Sequence, residues 1–273
     1  MQYSQKLFND NKKLLYAWFS AMFTRIDVLI STDDTRDDLV FIAEQIKNEI
    51  ERVEIFANRF DENSEISQIN STAYLETRIV SAELFTIVDE CLLYNKKTLG
   101  YFDITVNSVN GYKDGKDAVV LDSDKQTIRF QHPDVRLDLS GYIKGYALRA
   151  VRKLLEKENI HNALINVGNS SILALGNHPC GDGWKISFPD LNTTTECVLH
   201  NECLTTSGNK EQTQWPILQP NTGQAIVKNH PVSIITDDPA TGEVLSIALY
   251  IANNEEEKMI LTQLKGRTIN FLQ

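Results

Sequence analysis

The sequence predicts an α+β protein, and three observations carry that expectation. Strand-like segments follow one another in series as well as alternating with helices, which suits segregated α+β packing better than a doubly wound parallel sheet. The stretches LVFIAEQIKNEIERVEIFANRF, SAELFTIVDECLLYNKKTLG, YALRAVRKLLEKEN and TGEVLSIALYIANN carry apolar residues at helical spacing. No repeat, low-complexity tract or Pro/Gly/Ser-rich linker divides the 273 residues. The expectation is therefore a single domain over 1–273, with mixed or antiparallel sheets and flanking helices in one compact two-lobed unit. Residues 1–15 are expected as a loosely ordered N-terminal extension.

Each element has a local reason. FTRIDVLIST alternates like a half-buried strand, and the helix after it has Asp33 or Thr35 as candidate caps. RFDENSEISQIN reads as a polar loop and short turn. The next helix, from Ser81, is stopped by Gly100, which suits a C-cap. YFDITVNSV, AVVLDSDKQTIRF and VRLDL are three strand-like segments joined by turn residues. A helix from Tyr146 to about Asn159 leads into HNALINVGNSSILALG, a strand, glycine turn and strand. GWKISFPD, ECVLHNECLTTSG and QTQWPILQPNTGQAI continue the β-rich part. HPVSIITDD is a strand. The helix after it turns Leu245, Ala248, Leu249 and Ile251 to one side, and KMILTQLKGRTINFL reads helix, turn, strand.

Composition narrows the function. A net charge of −10 argues against a sequence-independent nucleic-acid footprint, which needs clustered Lys and Arg. Any anionic ligand must be held locally, by a metal ion, helix N-termini or a few placed lysines. Cys91, Cys180, Cys197 and Cys203 form no CxxC pair and no zinc spacing with a histidine, so they read as reduced structural cysteines. His132, His161, His178, His200 and His230 are scattered among loops and turns and receive no catalytic role; no GxSxG elbow occurs. No apolar run reaches the roughly 20 residues of a membrane span. The N-terminus, interrupted by Asn and Asp and lacking a small-residue cleavage site or a lipobox, reads as mature protein.

The most informative stretch is DLSGYIKGYALRAV, residues 138 to 151. Gly141 and Gly145 stand between an extended run and a helix, where the backbone can approach another group closely and the first helical amides lack intrahelical partners. Lys144 adds a mobile positive charge. Together they read as an anion-binding turn.

In order along the chain stand MFTRIDVLI with Met22, RFDENSEISQIN, YFDITVNSV, DLSGYIKGYAL, NALINVGN, GWKISF, TTSGN, QPNTG and VSIITDDPATGEVLSIALYIA. With these segments the chain resembles the ApbE family of FAD:protein FMN transferases over nearly its whole length. The resemblance implies an ApbE-like fold, FAD as substrate or ligand, and magnesium. It implies transfer of FMN to a Ser or Thr of an acceptor protein with release of AMP. It also suggests a periplasmic or membrane-tethered setting. Carried over residue by residue, Met22, Ser64, Glu65 and Asp103 fall in segments that line the flavin or adenine pocket. Gly141, Lys144 and Gly145 match the Gly-x-x-Lys-Gly turn at the pyrophosphate, with Lys144 in the catalytic role, and Ser207 and Gly208 match a Thr-Ser-Gly turn near the nucleotide. The backbone carbonyl of Ile143 and the carboxylate of Glu243 are the implied metal ligands.

The departures concentrate where the chemistry belongs. The family's last helix carries an Asp and, four residues on, a Thr on one face; here these are Glu243 and Ile247. Ser246 with Asp237 or Asp238 are the candidates to compensate. Arg149 replaces an Asp, Gly168-Asn169-Ser170 replaces Gly-Gly-Asp, and Pro216 to Gly223 lacks the His and Asp of the His-x-x-Asp-Pro-x-Thr-Gly signature. Hard Mg²⁺ selects oxygen anions, so the losses weaken metal affinity directly. Two alternatives to the transferase therefore stand: a flavin-binding paralogue with weak or lost transfer, and an FAD pyrophosphatase in which water attacks.

Overall fold

The computed structural model describes residues 1–8, 12–32, 36–189, 194–208, 216–228 and 230–269, with only the backbone of 189, 194 and 195 described. Its frame is an eight-stranded sheet in which every pairing is antiparallel. The strands are β1 (Gln2–Leu7), β2 (Lys13–Ala21), β3 (Thr24–Thr32), β7 (Asn162–Val167), β8 (Ser171–Leu175), β11 (Cys203–Ser207), β12 (Val232–Thr236) and β13 (Arg267–Ile269), and that is also their spatial order. A second, three-stranded sheet of β4 (Arg78–Ile79), β6 (Thr127–Phe130) and β5 (Val119–Asp122) accompanies it, also antiparallel. The α+β class is thus realised without parallel pairs among the described residues.

Helices cover one face of the large sheet. In α1 (Leu39–Ala57), Leu39, Ile42, Ala43, Ile46, Ile50, Val53 and Ala57 are buried, the stripe that a 3.6-residue period requires. It packs on β2 and on α4 (Ile143–Lys157), which in turn packs on α5 (Pro239–Ile251). The strands answer in register. Ile26, Val28 and Ile30 of β3 lie beside Val167, Ile165 and Ala163 of β7, all buried under the helices in the main core. The opposite face has a smaller core of Ile172, Ala174, Trp184, Leu199, Leu204 and Ile235 under the hairpin β9 (Trp184–Pro189) and β10 (Thr194–Leu199). Because β8 lies between the two layers, all five of its residues are buried.

Other elements differ from the sequence expectation, each for a local reason. Among the described residues, 2–7 and 13–15 are not a loose extension: β1 and the start of β2 form a ladder from Gln2 opposite Trp18 to Leu7 opposite Lys13. RFDENSEISQIN ends in a helix, α2 (Glu65–Thr72), because Ser64 accepts a hydrogen bond from the Ser67 amide as its N-cap. YFDITVNSV does not form a strand. Phe102 and Ile104 are buried as the alternation requires, but Asp103 Oδ1 accepts from both the amide and the hydroxyl of Thr105 and folds the chain into a turn.

VRLDL keeps its alternation, with Val135, Leu137 and Leu139 buried, yet enters no ladder. The Asn70 side chain satisfies both backbone groups of Leu137, and the amide of Asp138 donates to the Ile104 carbonyl. AVVLDSDKQTIRF does form its hairpin, β5–β6. The described part of QTQWPILQPNTGQAI holds one isolated bridge, Leu218 to Ala225. The candidate caps Asp33 and Thr35 lie outside the described residues, and α1 starts after Asp38, whose side chain makes no capping bond. The helix α3 (Ala82–Lys97) ends as expected, with Leu99 and Gly100 at positive φ and the Gly100 amide closing onto the Asn95 carbonyl.

Candidate active site

A cleft of about 1040 Å³ opens where the β2–β3 turn, the end of α1, the Tyr101–Asn107 turn, the start of α4, the end of β11 and α5 converge. The β2–β3 turn delivers Met22 and Phe23. Both have positive φ, 50° and 57°, as a two-residue primed hairpin turn demands, although such turns favour Asn and Gly. Bulky side chains in this region cost roughly 1–2 kcal/mol each. The conformation buries Met22 in the cleft wall and leaves Phe23 at the mouth, 81% exposed and edge-on to Phe60 with ring centroids 5.9 Å apart.

The floor is built from the joint of α4 and α5. The seam between these helices is tight because Gly145 lies against α5: a Cβ there would meet the carbonyl oxygen of Pro239 and come within 2.8 Å of Ala240 Cα. Gly145 is therefore a packing residue and does not line the cleft. Gly141 does line it, and the Ile247 side chain closes over it, 2.8 Å from where a Cβ would stand. The amides of Tyr142 and Ile143 both donate to the Leu139 carbonyl, so the turn spends these donors on itself. Ile143 is the first residue of α4, where a carbonyl points along the axis into the next turn. The charge at this end comes from the Lys144 ammonium.

Lys144 Nζ lies 3.2 Å from Ser170 Oγ, which lies 3.3 Å from Ser171 Oγ, which donates at 2.5 Å to Glu243 Oε1. Glu243 is 7% exposed, and burial pushes its carboxyl up to about 7, against the opposing effects of the Ser171 hydrogen bond and the Lys144 charge. The two cations lining the cleft differ in their partners. Arg59 faces Asp138 at 3.1 Å, whereas Lys144 makes no ion pair among the described residues. Asp138 is further engaged by Asn107, by the Ser140 amide and by the Ser140 hydroxyl. Burial raises the pKa of Asp103 above its ordinary value, with the Thr105 hydrogen bonds working against it.

Of the residues singled out in the sequence, the cleft brings together Met22, Asp103, Gly141, Ile143, Lys144, Ser207, Gly208 and Glu243. Ser64 and Glu65 are elsewhere. Ser64 caps α2, and Glu65 accepts from the amide and hydroxyl of Ser81 at the start of α3, so both are helix-terminus residues and not pocket residues. None of the five histidines lines the cleft. Residues that the sequence left unmarked include Arg59, Phe60 and Ser171. A hydroxyl heading the otherwise apolar strand SILAL was the available signal for Ser171.

The donor set does not fit a divalent cation. Among the described residues no three His, Cys, Asp or Glu side chains converge. Glu243 Oε1 is engaged by Ser171, and Ile247 offers no donor. The Ser246 hydroxyl bonds to Ser207 Oγ and to the Glu243 carbonyl. Asp237 and Asp238 do not line the cleft, and Asp238 is held by Arg149 at 2.8 and 2.7 Å while capping α5. Burial opposes ionisation of Asp238, but those bonds and the Arg149 charge keep its carboxyl below its ordinary range.

An FAD:protein FMN transferase of Chlamydia muridarum is 28% identical over 255 residues, covering 79% of this chain and 78% of the relative. That of Haemophilus influenzae is 26% identical over 255 residues, covering 78% and 73%. Among solved structures, the flavin transferase ApbE from Vibrio cholerae superposes with a TM-score of 0.80 at 18% identity, over 98% of this chain and 93% of that one. The ApbE protein of Thermotoga maritima gives 0.77 at 21% identity, over 96% and 90%, and likenesses at this identity establish the fold alone. The family model matches residues 22 to 271, from the hairpin turn at the cleft mouth to past the last strand of the sheet, and the chain belongs to the ApbE family.

Proposed function

We propose that the chain is an FAD:protein FMN transferase whose dinucleotide lies along the cleft with its pyrophosphate at Lys144. The observation that supports this most strongly is the pairing of shape and charge. A cleft of about 1040 Å³, at the upper end of small-molecule sites, ends at an ammonium that has no carboxylate partner among the described residues, in a protein of net charge −10. Lys144 would neutralise charge on the non-bridging oxygens as it develops, the largest contribution that a phosphoryl-transfer site makes. Phe23 and Phe60 at the mouth offer an apolar edge for a planar ring system.

In the reaction, the hydroxyl oxygen of an acceptor Ser or Thr forms a bond to the FMN phosphorus. The bond from that phosphorus to the bridging oxygen breaks, AMP leaves with the bridging oxygen, and the hydroxyl proton is released. The acceptor is a separate protein: no Asp-x-x-Ser/Thr-Gly-Ala segment occurs in this chain. Binding without turnover is the second reading, favoured because no three His, Cys, Asp or Glu side chains converge among the described residues.

The test is incubation of the purified chain with FAD and magnesium, with and without a protein bearing a flavinylation motif. AMP and FMN are followed by chromatography and covalent flavin by in-gel fluorescence. The transferase reading expects AMP release that requires the acceptor and leaves fluorescent protein. AMP and FMN in equal amounts without acceptor would show a pyrophosphatase instead, and bound FAD returned intact would show a binding protein.

A further inference from the structure

Resting on the flavin-dinucleotide reading above, we infer that this chain holds FAD without a divalent cation, with the Lys144 ammonium as the counter-charge at the pyrophosphate. The position from which the last helix would present a carboxylate and a hydroxyl to a metal is filled by other chemistry. Ile247 Cδ1 packs over Gly141, so this position offers a methyl group and no oxygen to a hard cation. Glu243 is directed away from that role by Ser171, whose hydroxyl donates to Oε1 at 2.5 Å within a buried pocket. The Ser246 hydroxyl points to Ser207 and to its own helix.

Two of the nearby acids are committed to other partners. Asp238 is locked to Arg149 and to the N-terminus of α5, and Asp138 to Asn107, Ser140 and Arg59. Against these saturated groups, Lys144 stands, among the described residues, beside one neutral hydroxyl, Ser170 Oγ at 3.2 Å. A dianionic pyrophosphate entering this end meets a fixed cation from the protein and no pair of hard oxygen anions with which to share a metal.

The experiment is a titration of the full chain with FAD, read by flavin fluorescence, in a chelator buffer and again in millimolar magnesium. A companion variant, Glu243→Asp with Ile247→Thr, restores a carboxylate and a hydroxyl on one helical face. The wild-type Kd is expected to agree within about twofold between the buffers, while the variant gains at least tenfold on adding magnesium. Tenfold or greater tightening of the wild type by magnesium overturns the inference and leaves the flavin reading intact. No binding in either buffer overturns the flavin reading itself. A folded variant that binds FAD but ignores magnesium overturns the assignment of the altered site to these two positions, and the wild-type titration decides the main point even where the variant does not fold.

Discussion

Two acid–base pairings cross the seam between α4 and α5, and they are built to opposite rules. At one, Arg149 forms two hydrogen bonds to Asp238 and two more to Glu90, with Tyr142 donating to the same Glu90. At the other, five residues back along α4, Lys144 and Glu243 face the cleft without touching; two serine hydroxyls stand between them. Planar guanidinium suits the saturated joint because its fork matches carboxylates two at a time. The lone ammonium suits the unsaturated one, since it remains available to an anion from outside. A fully paired charge network is scaffold, and an underpaired one at a cleft floor is where a ligand completes the set.

The comparison breaks most visibly at Glu243. Its carboxyl titrates at about 7 in the folded chain against 4.5 for the ordinary group. The folded state therefore holds a proton that the unfolded state releases between those values. Stability falls as pH rises through that window and levels off above it, by about 3 kcal/mol from this group. Glu243→Gln is expected to remove that fall. Urea denaturation at pH 5 and pH 8 should show a wild type that weakens on the alkaline side relative to the variant, and parallel pH dependence in the two proteins would contradict the assignment.

Arg149→Ala breaks the other pairing. It strands Glu90 and Asp238, which are about a quarter and a third exposed, so the cost is expected at roughly 2 kcal/mol and not the 3–5 of a fully buried pair. High salt should narrow the loss, because screening weakens the repulsion between the two stranded acids. A thermal-unfolding comparison checks it, and an unchanged Tm would mean that the saturated joint is not scaffold.

What the sequence revealed of this site follows from how local each signal is. That Gly141, Lys144, Ser207 and Gly208 line one cleft is legible because tight turns at a strand end are written in neighbouring residues. Ser64 and Glu65 lie outside the cleft: a serine and a glutamate at a helix start serve helix ends as readily as ligands, and here Ser64 caps α2 while Glu65 accepts from Ser81, the N-cap of α3. Arg59 and Phe60 come to the cleft from the segment after α1, and Ser171 stands buried behind it on β8 against Glu243, so no spacing in the chain joins them to Lys144.

The fold shows the same division. The helical stripes, the alternation of β3 and the apolar strands β7 and β8 on either side of their glycine turn are readable. YFDITVNSV and VRLDL alternate equally well, yet their backbone bonds to the side chains of Asp103 and Asn70, partners that alternation does not specify. The ladder of β1 with β2 was missed because polar residues dominate a fully exposed edge strand.

The most direct test of the central claim, that the unsaturated end of the seam is where the dinucleotide's phosphates sit, is FAD affinity in Lys144→Met, which removes the charge and keeps most of the side-chain length. The expected result is at least a tenfold weakening, about 1.4 kcal/mol, with an unchanged Tm. FAD binding equal to wild type in the folded variant would contradict it.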